Sequence, residues 1–157
     1  FDQLARRWQQ RLWRHARGLV DTDAAAWDAL QETWTVVIKR LGSLHTPAWF
    51  PAWVYRILRN KCADHWRCAD RRQRLAEAAA QRLTHEPHGH SDPRIEFVAE
   101  AIGRLPDQMR DLLGLRFRDG LTIIEIAVVL GVPAGTVKSR LHHAREKLKR
   151  MLEGDLP

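Results

Sequence analysis

The sequence predicts an all-α protein of two small helical domains joined by a linker, with a helix-turn-helix in the C-terminal domain. Apolar residues recur at spacings of three and four along most of the 157-residue chain, without clear strand patterns. Residues 84–94 contain Pro, Gly and acidic residues and separate two basic segments. We therefore expect domains at residues 1–83 and 95–157, joined by a linker at 84–94.

Two amphipathic helices are predicted within the first 42 residues, ending near Gly18 and Gly42. Their apolar stripes include several of the seven tryptophans, which are most simply explained as core residues. The inward positions are Leu4, Trp8, Leu12, Ala16 and Leu19 in the first helix, and Trp27, Leu30, Trp34, Val37, Ile38 and Leu41 in the second.

A third, longer helix follows the proline-containing loop at residues 43–47. Pro51 suits its first turn, and the helix could continue through the arginine-rich segment to about residue 83. Aromatic residues lie beside basic ones along it, a combination that favours single-stranded DNA, because bases stack on aromatic rings while cations contact phosphates. Core packing is the alternative for each aromatic. The residues concerned are Trp49, Trp66, Arg56, Arg59, Lys61 and Arg67.

The helix-turn-helix is predicted at residues 120–151. Thr122 is placed to cap the first helix, with Glu125 completing a capping box, and Gly131 ends that helix. Pro133 suits the start of the second helix, which runs from about residue 134 to 151. Such a helix fits the major groove of DNA and presents polar side chains to base edges. Its inward residues are Val137, Leu141, Ala144 and Leu148, and its outward ones Lys138, Ser139, His142, His143, Arg145 and Lys149.

Charge favours the same class of partner. The formal net charge is +7, and residues 1–83 carry 15 Lys and Arg against 8 Asp and Glu. Nucleic acid is the expected polyanion. No stretch approaches the ~20 apolar residues of a membrane span, so we expect no membrane insertion and a cytoplasmic location.

Metal and enzyme chemistry are weakly supported. Cys62, His65 and Cys68 lie at successive steps of three, which would converge poorly on one tetrahedral ion from a straight helix. The histidines within residues 85–90 are better explained as solvated loop residues. We find no nucleophile–base pair or phosphate-binding loop, and therefore expect no enzyme activity, no cofactor and no metal site.

Several segments together resemble a known family. They are DALQETW (28–34) and FPAWVYRILRN (50–60) in the first half, and LPDQMRDLLGLRFRDGLT (105–122), EIAVVLG (125–131) and GTVKSRL (135–141) in the second. The chain resembles a bacterial extracytoplasmic-function sigma factor of RNA polymerase, with sigma region 2 in residues 1–83 and region 4 in residues 95–157. The pattern at 50–60 distinguishes this family from other helix-turn-helix regulators.

The resemblance implies a promoter-specificity subunit that works by binding. Its partners would be core RNA polymerase, through the coiled coil of the β′ subunit, promoter DNA, and an anti-sigma factor. The implied core-binding residues are Asp28, Leu30, Gln31 and Glu32. The implied contacts to the melted −10 strand are Trp49, Arg56, Arg59, Asn60 and Lys61, with Asn60 facing a flipped base and the loop 44–48 walling its pocket. The implied contacts to the −35 duplex are Thr136, Lys138, Ser139, Arg140, His142, His143 and Arg145.

The alternative interpretation is a different class of DNA-binding protein. A conventional operator-binding regulator would use its N-terminal half to sense a ligand or to dimerise, and would bind duplex DNA tightly without polymerase. The first helix of the helix-turn-helix is apolar almost all round, which indicates that something covers it. An anti-sigma factor or the linker of the same chain would provide that cover.

Overall fold

The computed structural model describes residues 1–76 and 93–154, with the side chains of 68–76 and 93–96 left undescribed. Every regular element within those ranges is a helix or a helical turn, so the predicted all-α class is confirmed. The chain divides into two compact units. The first is built on the helices before residue 77 and the second on those after residue 92, and each is described separately.

The N-terminal unit is a bundle of three helices, α1 (Asp2–Arg17), α2 (Asp23–Arg40) and α3 (Phe50–Ala76). Two 3₁₀ turns, Leu41–Ser43 and Pro47–Trp49, connect α2 to α3. α2 begins where the Thr22 side chain accepts a hydrogen bond from the Ala25 backbone N–H, which satisfies a donor that the helix leaves free. α2 packs against both α1 and α3.

The buried face of α2 differs from the predicted one. Trp27 is 42% exposed and Ile38 is 62% exposed, so the prediction that both lie in the core is wrong. Small side chains allow helix axes to approach closely, and large ones at those positions would hold them apart. The Thr33 hydroxyl is satisfied inside the helix by donating to the Ala29 carbonyl at 2.7 Å. Leu30 and Val37 are buried as predicted, and they face the neighbouring helices together with Ala26, Ala29 and Thr33.

The C-terminal unit contains four helices among the described residues: α4 (Pro93–Gly103), α5 (Asp107–Leu113), α6 (Ile123–Leu130) and α7 (Ala134–Gly154). A π-helical turn, Gly114–Arg118, prolongs α5. α7 packs against α4 and α5. The core of this unit is therefore formed mainly where these helices meet, by Leu105, Leu112, Leu113, Leu115, Leu121, Ile126, Val137 and Ala144.

The linker prediction is only partly addressed by the structure. α4 begins at Pro93, so residues 93–94 start a helix, where a proline is well tolerated because its missing N–H would be unpaired anyway. Residues 84–92 lie outside the described residues, as does the predicted end of the third helix near residue 83. The domain boundaries stay predictions.

Candidate nucleic-acid and protein interfaces

Local features define both ends of α6, the first helix of the helix-turn-helix. Thr122 Oγ1 accepts from the Glu125 N–H at 3.2 Å, and Glu125 Oε2 accepts from the Thr122 N–H at 2.7 Å. This capping box confirms the predicted start of α6. Gly131 ends α6 in the left-handed conformation, with φ 66° and ψ 35°. A side chain there would be strained, which explains the glycine.

The recognition helix α7 starts one residue after Pro133, whose carbonyl accepts from the N–H groups of Thr136 and Val137 at 2.9 and 3.1 Å. Val137, Leu141 and Ala144 are buried and Leu148 is half-buried, which confirms the predicted inward face. The opposite face is exposed. It carries Lys138, Ser139, Arg140, His142, His143, Arg145 and Lys149, with Thr136 half-buried beside it.

Polar groups on this outward face are held in different ways. Ser139 donates its hydroxyl to the Thr136 carbonyl at 3.1 Å, and His143 Nδ1 lies 2.9 Å from the Ser139 carbonyl. Because a carbonyl only accepts, Nδ1 must carry the proton in this contact, which leaves Nε2 facing outward. Lys138 and Arg140 form no ion pair with any side chain that the structure describes.

Arg56 and Asn60 are the exposed members of the predicted −10 set on α3. They lie four residues apart and so share one face of the helix. Trp49 is 41% exposed and ends the 3₁₀ turn that precedes α3. Arg59 and Lys61 are half-buried on either side of Asn60. The structure thus gives the predicted base-contacting amide an open, basic surrounding.

Lys61 is engaged by an acidic residue of the neighbouring helix. Its Nζ lies 3.0 Å from Glu32 Oε2, and His65 Nε2 lies 3.3 Å from Glu32 Oε1. The hydrogen bond from Lys61, the charge of Lys61 and the nearby His65 together hold the pKa of Glu32 below its usual range, against the opposing effect of burial. Sequence reasoning missed this cluster because its members are 29 and 33 residues apart in the chain, on different helices.

Trp66 has a structural role that the sequence did not indicate. Its indole N–H donates to the Leu19 carbonyl, which ties α3 to the end of α1. The ring remains 48% exposed. The hydrogen bond fixes the orientation of the indole ring within the N-terminal unit. A structural role for Trp66 is therefore better supported than base stacking.

The predicted core-binding residues of α2 separate into two groups. Asp28, Gln31 and Glu32 are exposed, whereas Leu30 is only 1% exposed. The Leu30 side chain packs inside the bundle and has no surface to offer a partner, so we remove it from the candidate surface. Trp27 and Ile38, which we had assigned to the core, lie on the same side of α2 as Gln31. Spacings of four and seven residues place them there.

Cys62, His65 and Cys68, which were considered as metal ligands but not expected to form a site, are only partly covered by the structure. Cys62 is buried, His65 contacts Glu32, and the Cys68 side chain lies outside the described residues. The histidines at positions 85, 88 and 90 also lie outside them. Among residues 1–76 and 93–154 the structure contains no group of three metal-ligating side chains, and no helix long and apolar enough to cross a membrane.

Comparison with known families gives one match in each half of the chain. Sigma-70 region 2 matches residues 4–72, and sigma-70 region 4 matches residues 98–148. The chain is 35% identical over 155 residues to the ECF RNA polymerase sigma factor SigM of Mycobacterium tuberculosis, covering 97% of this chain and 76% of SigM. It is 28% identical over 166 residues to the RNA polymerase sigma-H factor of Pseudomonas aeruginosa, covering 98% and 86% of the two chains.

Two solved structures resemble the chain over nearly its whole length. The sigma factor RpoE from Bartonella quintana, crystallised with the anti-sigma factor NepR, has a TM-score of 0.80 at 23% identity and covers 99% of this chain and 98% of its own. CnrH, solved with the cytosolic domain of CnrY, has a TM-score of 0.67 at 28% identity, with coverages of 99% and 88%. The first likeness concerns the fold alone. Together with the region matches and the relative of 35% identity, these findings show that the chain belongs to the extracytoplasmic-function sigma factors of RNA polymerase.

Proposed function

We propose that this chain binds core RNA polymerase and directs it to a specific class of promoters. The observation that carries the proposal is the presence of sigma regions 2 and 4 in one chain, with an exposed polar face on the recognition helix of region 4. A sigma factor needs both, because one region reads the −35 duplex and the other the melted −10 strand. The chain acts by binding, and catalysis belongs to the polymerase.

The surface proposed for core polymerase is the outward side of α2. Asp28, Gln31 and Glu32 supply polar groups, and Trp27 and Ile38 supply exposed apolar area that the bundle does not use. Protein interfaces commonly combine buried aromatic anchors with a polar rim. This composition supports a protein partner better than a nucleic acid, and the family resemblance indicates the coiled coil of the β′ subunit.

The surface proposed for the melted −10 strand is the exposed side of α3 and the turn before it. Asn60 can both donate and accept hydrogen bonds, as recognition of an unpaired base edge requires. Arg56 lies one turn before Asn60, and its exposed guanidinium can contact a phosphate. Trp49 offers an exposed ring on which a base can stack. A base taken out of the stack costs a few kcal/mol, which these contacts must offset.

The surface proposed for the −35 duplex is the outward face of α7. Lys138 and Ser139 lie in its first turns, where a helix docked in the major groove meets base edges, and His142 and His143 follow one turn later. Arg140 and Arg145 are assigned to phosphate contacts, which position the helix without reading sequence.

An anti-sigma factor is a further proposed partner. RpoE was solved with the anti-sigma factor NepR, and CnrH with the cytosolic domain of CnrY. In the present chain Ile124 of α6 is 62% exposed and Phe117 of the π-helical turn is 64% exposed, so region 4 retains apolar surface for such a partner. Since core polymerase and promoter DNA are cytoplasmic, we place the chain there.

Transcription in vitro tests the proposal directly. Purified chain added to core polymerase should produce a transcript that starts at a fixed distance from a −35 and −10 pair, and core polymerase alone should not. An Ile38→Asp variant should lose core binding, because it places a charge in the apolar part of the proposed surface. A chain that binds duplex operator DNA tightly but does not associate with core polymerase would instead support the operator-binding regulator.

A further inference from the structure

Glu32 forms an ion pair with Lys61, with His65 beside it, and this cluster joins two surfaces with different proposed partners. Glu32 belongs to the surface of α2 assigned to core polymerase, and Lys61 follows Asn60 on the surface of α3 assigned to the −10 strand. The ammonium lies 3.0 Å from one carboxylate oxygen, and His65 Nε2 lies 3.3 Å from the other. The Glu32 carboxylate thus belongs to the surface proposed for core polymerase and neutralises Lys61, a cation of the surface proposed for the −10 strand.

Stability is a poor explanation for this arrangement. The side chains of Lys61 and Glu32 are 28% and 47% exposed. Ion pairs at such positions usually contribute little to the free energy of unfolding, because water and salt screen them. The ion pair matters more for binding, because the Glu32 carboxylate offsets the positive charge that Lys61 would offer to a ligand. A phosphate approaching the ammonium must displace the carboxylate and is repelled by it.

We propose that Glu32 masks Lys61 in the free chain, and that core polymerase unmasks Lys61 by taking Glu32 into its own interface. Lys61 then becomes available to a phosphate of the melted strand only in the assembled complex. The inference rests on the proposed function for its second half, since the unmasking partner is core polymerase.

The masking half is tested on the free full-length chain with an oligothymidylate single strand as the probe. Glu32→Gln keeps the size of the side chain and removes its charge. It should bind the probe about twofold to fivefold more tightly, the range that an exposed ion pair allows. The slope of log affinity against log salt should steepen by about 0.7, as expected for one additional phosphate contact on a single strand.

Lys61→Gln completes a double-mutant cycle. It should change affinity little in the wild-type background, where the lysine is masked, and should abolish the gain in the Glu32→Gln background. Asp21→Asn is the matched control, because it makes the same change in net charge in the same unit at an exposed loop position. Circular dichroism and thermal unfolding verify that each variant is folded. Equal effects of Lys61→Gln in the wild-type and Glu32→Gln backgrounds would overturn the masking.

The unmasking half is tested with saturating core polymerase on a promoter with a pre-melted −10 bubble. Lys61→Gln should now weaken binding equally in the wild-type and Glu32→Gln backgrounds, because Lys61 is already released. A difference between backgrounds that persists in this complex would overturn the unmasking. A chain that does not bind core polymerase would reject the proposed function and this second half with it, while the free-chain cycle would still decide the first.

Discussion

At the scale of single residues, the polar contacts divide into those that orient a side chain and those that leave it open to a partner. Ser139 and His143 are held by backbone carbonyls of their own helix, whereas Lys138 has no described ion pair. Lys149 Nζ lies 3.7 Å from Glu153 Oε1, and Lys149 is about three turns further along α7 than Lys138. This difference in position and pairing predicts different roles for the two lysines.

Lys138→Ala should weaken binding to a matched −35 duplex by about 1–3 kcal/mol and reduce discrimination at one base pair. Lys149→Ala is the matched control, and should weaken all duplexes alike or have little effect. Affinities of the holoenzyme for matched and singly mismatched duplexes, at fixed salt, provide the measurement. Equal losses on both duplexes for Lys138→Ala would show that this lysine does not read sequence.

Glu32 also predicts a dependence of stability on pH. Its pKa is lowered in the folded state, chiefly by the hydrogen bond from Lys61, so its contribution is present above the unfolded pKa. That contribution is lost as pH falls through the folded value. The free energy of unfolding of wild type should exceed that of Glu32→Gln by at most about 1 kcal/mol, and the difference should vanish at acid pH.

Urea unfolding at a series of pH values between about 5.5 and about 3 provides this measurement. The same pH dependence should be smaller in Lys61→Gln, which removes the main donor. A difference between wild type and Glu32→Gln that stays constant over the range would show that Glu32 acts through packing instead.

At the scale of helices and turns, the conformation of Gly131 controls how α7 leaves α6. A Cβ at Gly131 would meet no atom within 4 Å, so the cost of a side chain there comes from its positive φ of 66° alone. Gly135 also has open space around it and no such φ. The two glycines therefore separate backbone strain from crowding.

Gly131→Ala should lower the free energy of unfolding by about 1–2 kcal/mol, whereas Gly135→Ala should be neutral or stabilise by about 0.5–1 kcal/mol. Thermal or urea unfolding followed by circular dichroism compares both with wild type. Equal destabilisation by the two substitutions would contradict the assignment of the cost to Gly131 conformation.

The helix-turn-helix was predictable from sequence because each of its determinants is local. The capping box spans four residues, and the left-handed glycine follows directly on the last apolar residue of α6. The buried face of α2 was not predictable from sequence, because it depends on how closely α1 and α3 can approach each side of the helix. Tryptophan and isoleucine have the larger burial free energy, but alanines and Thr33 occupy the contact, and Trp27 and Ile38 remain outside.

The candidate binding surfaces were also predictable only in part. The family motifs located Asn60 and Lys138, and the structure places both side chains in the open. The motifs also included Leu30, which is buried, because a sequence motif does not distinguish a residue that touches the partner from one that supports the helix. The contact of Glu32 with Lys61 and His65 required two helices to meet and had no local sequence signature.

At the scale of the whole molecule, two compact units allow two separable steps of promoter recognition. Each unit has its own core, and the proposed −10 and −35 contacts lie in different units. Substitutions far apart and without shared partners usually add in free energy. We therefore expect variants in the two units to affect different steps.

Asn60→Ala should impair formation of the open complex while leaving binding to core polymerase and to the −35 duplex nearly unchanged. Permanganate reactivity of thymines in the −10 strand reports the melted state, and electrophoretic mobility with core polymerase verifies assembly. Lys138→Ala is the control in the other unit, with the opposite pattern. Wild-type permanganate reactivity in Asn60→Ala would show that this amide is a surface group without a role in melting.

The small-residue face of α2 has a consequence for how such a chain can evolve. Ala26, Ala29 and Thr33 fill the space between helices, so any larger residue there would push the bundle apart. On the exposed side of the same helix Trp27 contacts Trp13 and Glu32 pairs with Lys61, but Asp28 and Ile38 lie in the open and can be exchanged at little cost to folding. Gene duplicates of this chain should therefore keep the small-residue face of α2 for folding, and should change its exposed side only as far as their binding partner allows. New partners could be acquired there while the fold is inherited unchanged.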